Sequence, residues 1–313
     1  MATPIRPAVI GKKNVKTQEV EKEEQLAFIK LSAKNTSVTI NKQTGLIDYI
    51  DVAGKPMLEE GYSLRPDFWR APTDNDYGAS LQQKLAAWKN PTLKLTSLKE
   101  NPKGTCRNVT ATFSLPEVDA TLTLDYTLNE VGQLIVTQDL KVNPDAKEKP
   151  VLPRFGMTMV MPKQYDEIRY YGRGPIENYW DRHTSTFLGV YAQSVADQYH
   201  PYIRPQESGN KTDVRWWSVY NSDSEEGLTF TAPEPLEMST LNYLTSDLDD
   251  GPIKEAHQSH SGDLTPRPFT VVHISQQQMG LGCVDSWGTW PLPQYRIPYA
   301  DHKFSFVITP GVK

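Results

Sequence analysis

Between Ala120 and Leu128 every second residue is apolar, with Leu122, Leu124, Tyr126 and Leu128 on one side and Thr121, Thr123, Asp125 and Thr127 on the other. A period of two fits an extended strand with one buried face; a helix would repeat its apolar positions at three and four. After a turn at Asn129 to Gly132 the pattern continues through Gln133 to Val142. Further candidate strands are Val151 to Val160, Ile168 to Tyr171, Arg215 to Tyr220, Gly227 to Thr231, Thr270 to Ser275 and Lys303 to Thr309. Ser37 to Asn41 and Leu46 to Asp51 flank Gln43-Thr44-Gly45, which reads as a hairpin with Gly45 supplying the positive φ. Only Leu81 to Trp88 has helical spacing, and it is short. With 24 Pro and 19 Gly marking turns between many brief strands, the expected class is all-β, antiparallel, in a sandwich.

The 313 residues, 38% of them hydrophobic, suffice for one large or two ordinary domains. Residues 1–24 are rich in Lys, Glu and Pro and aperiodic, and read as a linker or the remnant of a preceding domain; 25–313 read as the folded unit. A net charge of -5 with no long basic run gives no footprint for nucleic acid or an anionic membrane surface, so both are excluded as partners. No apolar stretch approaches the roughly 20 residues of a membrane span, and the start lacks the apolar core of a signal peptide. A soluble chain is expected, cytoplasmic or periplasmic. Cys106 and Cys283 have no metal-ligand spacing and read as buried or half-buried thiols. His183, His200, His257, His260, His273 and His302 are scattered; His257 and His260 are a weak metal hint at most. Asp247-Leu248-Asp249-Asp250-Gly251 is acidic enough to collect adventitious cations.

Four segments concentrate flat aromatics beside carboxylates, amides and guanidinium groups: Asp67 to Gly78, Tyr171 to Arg182, Tyr199 to Glu207, and Asp285 to Trp290. Sugar rings call for that mixture, because they offer an apolar C–H face and a rim of hydroxyls. Glu177 and Asp181 are tempting as a catalytic pair, since a retaining glycosidase needs two carboxyls about 5 to 5.5 Å apart. The plainer reading is that they bind Arg173, Arg182 or backbone amides and fix the loop.

Taken in this order, the segments closely resemble the C-terminal domain of the large β-galactosidases of glycoside hydrolase family 2. The matching pieces are Arg-Ala-Pro-x-Asp-Asn-Asp at Arg70 to Asp76, Gly-x-Gly-Pro-x-Glu-Asn-Tyr-x-Asp-Arg at Gly172 to Arg182, Pro-Tyr-x-x-Pro-x-Glu-x-Gly at Pro201 to Gly209, and Asp285-Ser286-Trp287. The likeness runs from about Phe28 onward. It implies a large antiparallel super-sandwich similar to galactose mutarotases. It also implies that both catalytic glutamates, and the magnesium and sodium ligands, lie on a preceding (α/β)8 barrel that this sequence lacks. No catalytic residue, cofactor or functional metal is therefore expected here, and the fragment alone should be inactive.

The implied partners are a galactoside substrate and the barrel of the same enzyme, whose docking face, once exposed, also allows a homo-oligomer. The implied role of Trp287 is to reach into the barrel's mouth as a stacking platform. Trp290, three residues on, is a second candidate ring. Arg70 and Asp76 are expected to shape the pocket rim or touch the neighbouring domain, and Glu207 completes the candidate substrate-binding set. Two alternatives stand beside this reading: a free-standing carbohydrate-binding module, and an aldose mutarotase in which His183 or His200 would converge with Glu207.

Overall fold

The alternation at Ala120–Leu128 is obeyed along its length, with every apolar position buried and every polar one at least partly open. The computed structural model describes residues 19–256 and 259–313. In chain order they form β1 (Glu21–Glu24), β2 (Phe28–Ala33), β3 (Thr36–Asn41), β4 (Ile47–Val52), β5 (Lys55–Pro56), β6 (Arg65–Asp67), α1 (Asp74–Gly78), α2 (Leu81–Lys84), β7 (Lys94–Lys103), β8 (Cys106–Leu115), β9 (Ala120–Leu128) and β10 (Leu134–Val142). There follow β11 (Arg154–Pro162), β12 (Glu167–Gly174), β13 (Phe187–Ser194), β14 (Lys211–Tyr220), β15 (Gly227–Leu241), α3 (Thr245–Leu248), β16 (Phe269–Gln278) and β17 (His302–Pro310).

Among the described residues, β1 to β5 make one sheet in sequence order. A twelve-stranded sheet runs β13-β12-β14-β15-β17-β10-β9-β8-β7, and β16 joins β15 to β11, which also pairs with β6. The pairings are antiparallel, so the expected all-β antiparallel class holds. The small sheet lies on the β7-β8-β9 end of the large one. Gly45, at φ +71, makes the β3–β4 turn, and a Cβ there would stand 2.7 Å from Leu95 and 3.0 Å from Phe113; only glycine meets both demands. Tyr126 Oη donates to Gly45 O across the same contact at 3.2 Å. One apolar core then runs from Leu31, Val38 and Ile40 through Leu122, Leu124 and Tyr126 to Trp217, Phe230 and Phe306.

Two local expectations change. Leu81 to Trp88 is not one helix: after α2 the chain tightens into a 3-10 turn at Ala86–Trp88, burying Trp88 in the core. In the stretch 1–24, Val20 is buried and Glu21–Glu24 pairs with β2, while residues 1–18 lie outside the described residues. The loop Gly54 to Gly61 is anchored by buried Met57 and Leu58.

Candidate functional site

Pro72 fixes the bend before α1, and Thr73 caps that helix: Asp76 N donates to Thr73 Oγ1 at 3.1 Å and Thr73 N donates to Asp76 Oδ2 at 3.0 Å. Asp76 also takes the Arg70 guanidinium, Nη2 to Oδ1 at 2.8 Å and Nε to Oδ2 at 3.2 Å. Arg70 further donates to the carbonyls of Met279 and Gly280. Burial disfavours the charged guanidinium, but Asp76 and Glu207 more than offset it and the Arg70 pKa lies above its ordinary value. Arg70 and Asp76 thus sit under the surface, 2% and 3% exposed, and hold the loop from below.

The other segments are braced onto α1. Asn75 Nδ2 donates to Leu281 O and Thr289 O, both at 2.9 Å, and its Oδ1 accepts from Gly288 N at 2.7 Å. Leu281 N and Gly282 N donate to Asp181 at 2.9 and 2.8 Å. Glu177 accepts from Gly209 N at 2.8 Å, from Arg182 at 2.7 Å and from Tyr202 Oη. Asp74 N donates to Gln206 Oε1 at 2.9 Å. Glu177 and Asp181 are therefore loop-fixing carboxylates, tied to Arg182 and backbone amides.

Between these braces opens a groove of about 680 Å³ to which all four segments contribute, through Asn75, Asp181, Tyr202, Glu207 and Trp287 among others. Trp287 stands at its edge, 65% exposed. Its Nε1 donates to Asp74 O at 3.0 Å, Lys254 Nζ lies 5.8 Å from the ring, and a Cβ on Gly78 would come within 2.7 Å of the indole. The absent side chain of Gly78 thus seats the ring, and Gly288, at φ +82, is packed against the Gly78 backbone. Trp290 is placed differently: half-buried against the core, with Lys84 Nζ at 5.7 Å and Arg296 Cζ at 5.2 Å from its ring. It lies outside the groove lining.

Glu207 lines the groove, and its Oε1 accepts from Arg154 Nη2 at 3.0 Å. Arg154, 1% exposed, also donates to Trp69 O at 3.0 Å and stands 3.4 Å from Asp67 Oδ2, which bonds His273 Nδ1 at 2.7 Å. Burial pushes Asp67 upward, but Arg154 and the His273 hydrogen bond outweigh it and hold the carboxyl below its usual value. This buried chain was not read from the sequence, where its members stand far apart. Nor was Lys211, whose ammonium burial pushes down to about 8, or Glu237, whose carboxyl burial pushes up to about 8 against partial relief from Asn210 and Arg154.

No histidine among the described residues shares the groove with Glu207: His183 Nδ1 approaches Thr212 Oγ1 at 3.5 Å, and the His200 backbone amide bonds Ser208. His257 lies outside the described residues. The acidic run expected to gather cations is already neutralised, Asp247 by Arg267, Asp249 by Lys89 and Asp250 by Arg204. Cys283 is exposed, not buried, because the Gly282–Thr289 turn carries it outward, and Cys106 is half-buried. No helix among the described residues is long and apolar enough to cross a membrane.

The family model of the beta galactosidase small chain matches residues 32–308. The chain belongs to the β-galactosidase small-chain family. Its relatives include β-galactosidases of Priestia megaterium, 31% identical over 93% of this chain, and of Lactobacillus delbrueckii subsp. bulgaricus, 34% identical over 85%. The small-chain match spans 27% and 25% of those proteins, about a quarter of their length. Similar solved structures include a TPR-domain containing protein from Parabacteroides distasonis, at TM-score 0.50 and 11% identity over 91% of this chain and 47% of that one. A galactose 1-epimerase from Lactobacillus acidophilus has TM-score 0.48 and 10% identity over 94% and 98%. These likenesses concern the fold alone.

Proposed function

We propose that the chain is the C-terminal part of a retaining β-galactosidase of glycoside hydrolase family 2, and that its groove forms one wall of the sugar pocket. The observation that carries this reading is the convergence of all four sugar-suited segments on one groove with Trp287 exposed at its edge. A broad, rigid indole face covers the C–H side of a pyranose without competing for its hydroxyls. Glu207 supports the reading as well, since Arg154 engages Oε1 while Oε2 has no partner among the described residues and can accept from a sugar hydroxyl. Arg70, Asp76 and Asn75 act beneath them by holding the groove's shape.

The two catalytic glutamates of this reading belong to a barrel outside the chain, together with its magnesium and sodium. Within the described residues the sheets are antiparallel, and Glu177 and Asp181 are committed to loop contacts. Bond cleavage is thus supplied by the barrel and sugar orientation by this chain. With a chromogenic β-galactoside, the 313-residue chain alone should show no turnover above buffer. Trp287→Ala in an enzyme assembled with the barrel should raise KM about tenfold or more. Turnover by the chain alone, or an unchanged KM, would overturn the reading.

A further inference from the structure

A second cavity, of about 300 Å³, lies on the other side of the buried ion chain and is lined by Trp69, Asp67, His273, Asp249, Thr158 and Val271. Both of its carboxylates are paired. Asp67 stands between Arg154 at 3.4 Å and His273 at 2.7 Å, and Lys89 pairs with Asp249 at 2.6 Å. Arg65, which also lines the cavity, is exposed to solvent. With both carboxylates so engaged, the wall offers no free anion to hold a cation and suits an uncharged ligand.

Hydrogen-bonding capacity is nevertheless present. An ionised Asp67 only accepts, so His273 Nδ1 donates to it, and Nε2 is left free to bond a ligand. His273 is 5% exposed, and Nε2 has no partner among the described residues. Met159 and Val271 supply apolar surface beside it. The volume is at the small end of ligand sites, roughly 300 to 1,000 Å³, and matches one sugar ring.

We propose that this cavity is a second binding site, separate from the groove, for a small neutral polyol of monosaccharide size, one hydroxyl of which hydrogen-bonds His273 Nε2. The site does not depend on the β-galactosidase reading. It is physically joined to the groove, because Arg154 contacts both Asp67 and Glu207.

The test is a titration of the 313-residue chain with galactose, glucose and glycerol, followed through the imidazole nitrogen signals of His273 by NMR. Saturable shifts with any of the three support the site. They should persist in Trp287→Ala and vanish in Ser246→Trp, and in His273→Gln, where binding is followed by calorimetry, the affinity should fall about tenfold or more. Ser246 is an exposed cavity residue, so its substitution should preserve the fold, as an unchanged melting temperature would verify. Absence of saturable shifts at about 0.3 M of every polyol, undiminished binding in Ser246→Trp, or preferential binding of galacturonate or glucosamine would overturn the proposal.

Discussion

Glu237 is buried on β15, where its Oε2 accepts from Asn210 Nδ2 at 3.0 Å. Removal from water outweighs that bond and the nearby Arg154 and Arg70, so the carboxyl titrates near 8 in the fold instead of near 4.5. Between those values the unfolded chain has lost its proton while the folded chain keeps it, so stability falls as pH rises, by at most about 1.4 kcal/mol per unit. Lys211 acts in the next window. Its folded value near 8 lies below the ordinary 10.5, so the cost of its buried charge is present below pH 8 and is relieved as pH climbs toward 10.5. Glu237→Gln preserves an acceptor for Asn210 without an ionisable group. It should leave stability unchanged at pH 5 and raise it by on the order of a few kcal/mol at pH 8, as urea melts at the two pH values would show.

At the scale of elements, α1 shows what holds a segment too short to persist by propensity. Five residues cannot nucleate a stable helix; α1 exists because Thr73 and Asp76 cap each other, Arg70 clamps Asp76, and Asn75 bridges to the Trp287 turn. Asn75→Ala removes three hydrogen bonds, each worth about 1 kcal/mol net. It should cost about 2 to 3 kcal/mol and speed amide exchange at Gly288, measured by hydrogen exchange, while amides of β9 keep their protection.

The helix was not legible because Thr-Asp-Asn-Asp serves an Asx-turn loop equally well, and only tertiary partners decide between them. Strands with strict alternation, such as β9 and β10, were legible. β8 carries the same signal at Val109, Ala111, Phe113 and Leu115, yet was passed over. β13 offers none, since as an edge strand it leaves Phe187, Leu188 and Val190 exposed. In the sequence only its place in the Asp-Ser-Trp motif sets Trp287 ahead of Trp290. Their difference arises from Gly78 beneath one and the core, Lys84 and Arg296 around the other.

Across the whole molecule, β17 joins parts of the large sheet that are distant in sequence, pairing with β10 on one side and β15 on the other. Phe306 on this strand is fully buried in the core. Phe306→Ala should destabilise the fold by about 3 to 5 kcal/mol, lowering the urea midpoint, and because the core is continuous the small sheet should melt in the same transition. The Thr137–Ser305 contact between β10 and β17 bridges 168 residues of chain. During synthesis, β10 emerges from the ribosome with one edge bare and waits for that whole interval to be translated before its neighbour exists. A nascent chain stalled in that interval is a ready substrate for chaperones and for mispairing with other chains, and slowing translation before His302 should lengthen the period of exposure.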